Sequence, residues 1–325
     1  MGRRTLATLL LTLALIIALG APILAFTPFG THMLVTTGLI APTPTPTPIP
    51  IPPTPIPTPR PILTAQGPLP KISAQAAYLL DMDTSNVLAN VHGTTPLPMA
   101  STTKIMTALI AIQTADLNQL ITVKQDAQDE YQMHNGSNAG LTVGEQLTLK
   151  DLLYALLVPS GDDAAIAIAD GLGGTTENFV QRMNLFTYHL RLFQTHYADP
   201  DGLNWHNSPD HYTTAADLTR LGRYAMSIPL FAQIVQTQTY SISATAQHRA
   251  HTWKTSNTLL ATYQGMIGIK TGHTDAAGYC LVFAALRNGH HLIGTVLGSP
   301  SDAQRSQDVR ALLNWGFGLP LLPPT

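Results

Sequence analysis

Residues 279–298 read YCLVFAALRNGHHLIGTVLG. Two apolar runs flank Arg287-Asn288-Gly289-His290, and Asn-Gly between such runs is a strong hairpin signal, because both residues tolerate the positive φ of a tight turn. Residues 76–91, AAYLLDMDTSNVLANV, give two more apolar runs around the turn residues Asp83 to Asn86, and they also read as a hairpin. Between the two hairpins the pattern changes to helical spacing. In TLKDLLYALLV, Leu149, Leu152, Leu153, Leu156 and Leu157 recur at that spacing, Thr148 is placed to cap the helix and Asp151 suits its first turn. Strands at both ends enclosing a helical middle predict an antiparallel sheet plus a helical lobe.

Outward from this core the chain changes character. Residues 1–26 are expected to be a membrane anchor or signal peptide: Thr5 to Phe26 is an uncharged apolar run behind Arg3 and Arg4, long enough as a helix to cross a bilayer. Small residues such as Ala21 and Ala25 offer a cleavage site, but the run exceeds a usual signal core of about 7–15 residues, which favours a retained anchor. Residues 27–70 are expected to be a proline-rich extended linker. Its repeat PTPTPTPIPIPPTPIPTPRP loses a backbone donor at every proline, favours polyproline geometry and reaches roughly 60 Å at about 3.1 Å per residue. Its P-x-x-P pattern also suits a docking ligand. Residues 71–325 then form the folded domain, placed outside the cytoplasm under either reading of the N-terminus.

The whole chain has 325 residues with 17 Lys+Arg against 19 Asp+Glu, and is 45% hydrophobic. That suits one sizeable core or two lobes sharing a cleft. Without a basic excess or a G-x-x-x-x-G-K-[ST] loop, nucleic acids and nucleotides are not expected ligands. The single cysteine, Cys280, sits in an apolar run and reads as buried.

Three short motifs carry chemistry. Ser101-Thr102-Thr103-Lys104 opens the apolar helical segment STTKIMTALIAI, and spacing i to i+3 brings Ser101 and Lys104 to one face. A serine becomes a useful nucleophile when a neighbouring base takes its proton, and a lysine does so only where burial lets its amine be neutral. Ser160-Gly161-Asp162 lies on a short connection between helices, where a hydroxyl can relay a proton. Lys270-Thr271-Gly272 ends the apolar segment GMIGIK, where a cation and a hydroxyl on a strand edge can hold a carboxylate and glycine allows close backbone approach. Alone, the three motifs read more readily as a helix cap with a surface lysine, a Ser-Gly turn and an exposed strand end, respectively. Together and in this order, S-x-x-K, a counterpart of S-D-N and K-T-G form the signature of penicillin-binding proteins and class A β-lactamases.

At this point the sequence resembles the serine D-alanyl-D-alanine carboxypeptidases, the low-molecular-mass penicillin-binding proteins. PMASTTKIMTALIA, LTVGEQLTLKDLLYALLVPSGDDAA, HYTTAADL, TSNTLL, GIKTGHTDAAGYCLV and VLGSPSDAQR stand in the family's order, over about Ala74 to Gly318. The resemblance implies an α/β (α+β) fold of the β-lactamase/D,D-peptidase type: an antiparallel sheet flanked by helices plus an all-helical lobe, with the site between them. It implies that Ser101 attacks the penultimate D-alanine carbonyl, Lys104 acts as base, Ser160 passes a proton to the departing amine, and Lys270 with Thr271 holds the terminal carboxylate. The oxyanion would sit between the backbone N–H groups of Ser101 and His273, the residue after Gly272, so that His273 acts through its amide. The expected partners are peptidoglycan stem peptides, β-lactams as covalent inhibitors, and the membrane through the N-terminal helix. No cofactor or metal is implied. Histidines other than His273, the His290-His291 pair included, lack metal-ligand spacing and are expected at the surface.

The family's second motif usually ends in asparagine, whereas this chain has Asp162. A carboxylate near Lys104 would favour the ammonium form and oppose its work as a base, unless the carboxyl is protonated or turned to another cation. The extra C-terminal β domain of some relatives is not expected here. Other readings of the same fold are a D,D-endopeptidase, a β-lactamase, and an inactive wall-binding module. Glu177 is the only glutamate after Ser160, and its surroundings, TTENF, do not resemble the deacylation site of a class A β-lactamase.

Overall fold

The computed structural model describes residues 61–134, 136–203 and 208–322. The expected anchor (1–26) and residues 27–60 of the expected linker (27–70) lie outside them. Among the described residues, no helix is long and apolar enough to cross a membrane.

The sheet is built from β1 (Ala76–Asp81), β2 (Val87–Val91), β3 (Met266–Thr274), β4 (Gly278–Arg287) and β5 (His290–Ser299), in the order β2-β1-β5-β4-β3. Every pairing is antiparallel, with Leu79 opposite Ala89 and Gly294, Ile293 opposite Ala284, and Lys270 opposite Val282. Both expected hairpins are present. At the β4–β5 turn Asn288 (φ 53°) and Gly289 (φ 79°) both take positive φ, the requirement that Asn-Gly satisfies most readily. At the β1–β2 turn Asp81 Oδ1 accepts from the amide of Asp83 at 2.9 Å and Ser85 takes φ 67°.

Helices cover both faces of the sheet, so β1 is buried along its whole length and reads as a continuous apolar run rather than an alternation. Ala76, Tyr78 and Leu80 join the larger core cluster, while Ala77 and Leu79 join a second one. The second cluster lies under the C-terminal helix Asp302–Phe317, through Val309, Leu312 and Leu313.

Between β2 and β3 the chain builds the helical lobe from α1 (Lys104–Thr114), α2 (Gln125–His134), α3 (Leu149–Leu157), α4 (Asp162–Gly173) and α5 (Thr176–His189), followed by α6 (Ala215–Met226), α7 (Pro229–Val235) and the single turn α8 (Leu259–Thr262). The C-terminal helix is α9. Lys104 through Ala111 are all buried, as expected of a helix that runs through the interior. Thr148 caps α3, its hydroxyl accepting from Asp151 N.

Packing starts earlier in the sequence than the expected end of the linker. Ile62–Leu63 pairs antiparallel with Leu321–Leu322, and Leu63 is buried against the second core.

Candidate active site

Ser101 is not on the helix itself. It lies on a single 3-10 turn, Ala100–Thr103, and α1 begins at Lys104. A 3-10 turn has three residues per turn, so positions i and i+3 eclipse. That places the Lys104 amine 2.9 Å from Ser101 Oγ. Lys104 is fully buried, and its amine also donates to Asp162 Oδ1 and, at 2.7 Å, to the Asp201 carbonyl.

The second motif occupies the short connection between α3 and α4, as expected. Ser160 takes φ 73° and Gly161 is the N-cap of α4, where a Cβ would lie 2.8 Å from Ala139 Cβ and 2.9 Å from Ala155 O. The third motif lies within β3. Lys270 is fully buried, and its amine donates to Ser160 Oγ at 2.8 Å, joining the sheet to the helical lobe. Burial, and then the charge of Lys104, hold the Lys270 amine well below an ordinary lysine pKa. The Thr271 hydroxyl is 2.8 Å from that of Ser256, whose amide donates to Val158 O. Gly272 presses against the nucleophile's turn: a Cβ there would lie 3.0 Å from Ser101 N and 3.1 Å from Met99 O. His273 stacks on Tyr279, ring centroids 4.0 Å apart.

Ser101, Ser160, Asp162, Thr271, Gly272 and His273 line one cleft of about 560 Å³, which also takes in His211, Tyr279 and Arg305. Lys104 and Lys270 are buried behind it and reach it through Ser101 Oγ and Ser160 Oγ, so the eight residues singled out in the sequence are brought together, with Asp162 1% exposed and directing one oxygen at Lys104. Burial, opposed by Lys104 and reinforced by Asp201, pushes Asp162 up to about 7. Asp201 is raised to about 7 as well, by burial first and then by Asp199.

Sequence reasoning missed four residues. Asp201 and Gly202 come from a polar loop with no periodicity to mark it. A Cβ at Gly202 (φ 89°) would overlap the Ala100 carbonyl, so only glycine lets this loop close on the nucleophile's turn. Arg305, in the first turns of α9, is 4% exposed and pairs with Asp302; its Nε is buried with no partner among the described residues. His211 is 2% exposed and His251 7%, which corrects the expectation that these histidines lie at the surface. His211 bonds Thr103 and His251 bonds Glu145, and a ring with such partners can be buried without leaving its nitrogens unpaired. The quoted segments HYTTAADL and VLGSPSDAQR contain His211 and Arg305, but their local pattern marks neither as a site residue. Glu177 is exposed in the first turn of α5, outside the cleft.

A serine hydroxyl within reach of a buried amine, in a cleft between an antiparallel sheet and a helical lobe, marks the class of serine acyl-enzymes. The D-alanyl-D-alanine carboxypeptidase family (Peptidase S11) matches residues 63–301. The chain is 37% identical over 262 residues to a D-alanyl-D-alanine carboxypeptidase of Streptomyces sp. (strain K15), covering 77% of this chain and 89% of that one. It is 30% identical over 246 residues to the D-alanyl-D-alanine carboxypeptidase DacF of Bacillus subtilis, covering 75% of this chain and 62% of that one. The crystal structure of the Streptomyces K15 DD-transpeptidase aligns with a TM-score of 0.74 at 36% identity, over 78% of this chain and all of that one. The chain belongs to the D-alanyl-D-alanine carboxypeptidase family, and its fold is that of the D,D-peptidases.

Proposed function

We propose that this chain removes the terminal D-alanine from peptidoglycan stem pentapeptides through an acyl-enzyme on Ser101, and that β-lactams acylate the same hydroxyl. The observation that carries the reading is the 2.9 Å contact between Lys104 Nζ and Ser101 Oγ, which gives the hydroxyl an adjacent proton acceptor. Ser101 attacks the carbonyl of the penultimate D-alanine. Ser160, held by Lys270, passes a proton to the amine that departs. The terminal carboxylate is met by Lys270, Thr271 and the guanidinium of Arg305, which lines the cleft and has an unpartnered Nε. The oxyanion is received by the amides of Ser101 and His273, the former free because it opens a helical turn. Water then releases the acyl chain.

Peptidoglycan lies outside the cytoplasmic membrane, so the work is extracytoplasmic. Anchoring through the apolar residues 5–26 behind Arg3 and Arg4 is our finer proposal for location.

Fluorescent penicillin should label the native chain covalently and leave Ser101→Ala unlabelled. A pentapeptide ending in D-Ala-D-Ala should then release D-alanine with the native chain only. Labelling of Ser101→Ala would overturn the reading. The solved Streptomyces relative is named a transpeptidase, so the second assay is run with and without an amine acceptor. Product formed only with the amine would replace hydrolysis by transfer.

A further inference from the structure

Lys104 has three positions on its nitrogen for protons or a lone pair, and each is directed at a partner: Ser101 Oγ, Asp162 Oδ1 and the Asp201 carbonyl. A carbonyl only accepts, so one N–H is committed to Asp201. The remaining two positions face the nucleophile and a carboxyl group. For Lys104 to take the serine proton it must first be without its third proton. The side chain is fully buried, so that proton has no direct route to solvent, whereas Asp162 provides an acceptor in hydrogen-bond contact.

The surroundings of Asp162 prepare it for this. It is 1% exposed, a Cβ at Gly136 would collide with its Oδ2, and its amide donates to Ser137 O at 2.9 Å, so the 136–141 loop closes it off from the other side. The titratable groups facing it are Lys104, which favours its ionised form, and Asp201, Asp163 and Glu130, which oppose it, with Lys270 beyond. Burial is the largest effect and acts against ionisation. Two groups in such close buried contact titrate as a pair rather than one by one.

We propose that Lys104 and Asp162 work as one proton-accepting pair, in which Asp162 holds the proton that Lys104 lacks when it takes the one from Ser101. The inference rests on the acyl-enzyme reading above. Asp162 touches no reacting atom and acts through Lys104, so it is a positioning residue. The step balances: the pair starts as amine and carboxylic acid; as the Oγ–C bond forms, the Ser101 proton passes to Lys104, giving ammonium and carboxylic acid. When the C–N bond breaks, Lys104 returns a proton by way of Ser160 to the departing amine and is an amine again. No proton enters or leaves the site. Adding one more proton to the resting pair gives ammonium and acid together, a form that cannot accept from serine. The rate of acylation must therefore fall as pH drops through the titration of the pair.

The test is the second-order rate of acylation by fluorescent penicillin between about pH 5 and 9, using the full chain. The native protein is expected to show an acid limb near neutrality. Asp162→Asn should move that limb by more than about one pH unit or abolish it, and Asp162→Glu should keep it. Asp201→Asn leaves the carboxyl of Asp162 in place but removes an opposing neighbour, so its limb should move to lower pH; this variant decides the matter if Asp162→Asn fails to fold. A native limb retained in Asp162→Asn, or an unmoved limb in Asp201→Asn, overturns the pair while leaving Ser101 as the acylated residue. Absence of labelling in the native chain at every pH overturns the acyl-enzyme reading and the pair with it.

Discussion

His211 shows how one side chain far from the motifs can shape the nucleophile. Its Nδ1 accepts from the amide of Ala198 at 3.0 Å, which leaves the proton on Nε2 for donation to Thr103 Oγ1, also at 3.0 Å. The Thr103 hydroxyl in turn donates to the Ala100 carbonyl at 2.8 Å. Ala100 takes φ 48°, an uncommon conformation for a residue with a side chain, and it immediately precedes Ser101. Burial, more than any neighbouring charge, lowers His211 to about 3. The ring is therefore neutral at working pH, and Asp199 Oδ2, 3.4 Å from Nδ1, does not face a protonated imidazole. His211→Ala is expected to slow penicillin acylation about ten-fold or more by loosening this turn. Because the ring does not titrate in the working range, the pH at which the native rate falls should be unchanged in this variant. A shift of that limb measured for His211→Ala would contradict the positioning role.

At the scale of elements, Asp163 fixes the loop opposite the nucleophile to the start of α4. Its carboxylate accepts from the amides of Ala139 and Leu141 at 2.9 Å each and from Ala164 at 2.9 Å. Burial raises its pKa despite these three donors, which favour the charged form. Asp163→Ala would leave at least two buried amides unpaired, and on the order of 3 kcal/mol or more of stability should be lost, read as a lower urea midpoint. The elements themselves were largely legible in the sequence. Asn288-Gly289 announced its turn, Thr148 announced the start of α3, and the run around Ser101 announced a buried helix. Less legible was that the helix starts only at Lys104, with Ser101 on a 3-10 turn before it. Thr102 and Thr103 cap backward, onto Met99 O and Ala100 O, a choice made by backbone geometry rather than by hydrophobic period.

Across the whole molecule the site depends on two lobes sharing one interior. Ile269, Val282 and Ile293 of the sheet belong to the same buried cluster as Leu152, Ile166 and Phe179 of the helical lobe. Cleft-spanning bonds such as Lys270–Ser160 are therefore made between parts that share this larger core, while the second cluster lies under α9 on the sheet's other face. Unfolding of residues 61–322 should be a single transition, with tryptophan fluorescence and far-UV circular dichroism giving the same midpoint. Leu313→Ala, in the second cluster under α9, should lower that common midpoint at a cost of about 2–5 kcal/mol rather than split the transition. Two separated transitions would show that the lobes fold independently.

By itself the sequence determined the hairpins, the buried helix, the order of the three motifs and the meeting of Ser101 with Lys104. These rest on turn chemistry, periodicity and one helical turn of spacing, all of which act between near neighbours in the chain. Only the tertiary structure decided that Lys270 reaches Ser160 across 110 residues, that Asp162 and the Asp201 carbonyl complete the shell of Lys104, and that His211 is buried behind Thr103. Those contacts follow from which distant polar groups are enclosed together in a low-dielectric interior, where each must find a partner, and short-range pattern does not encode that choice.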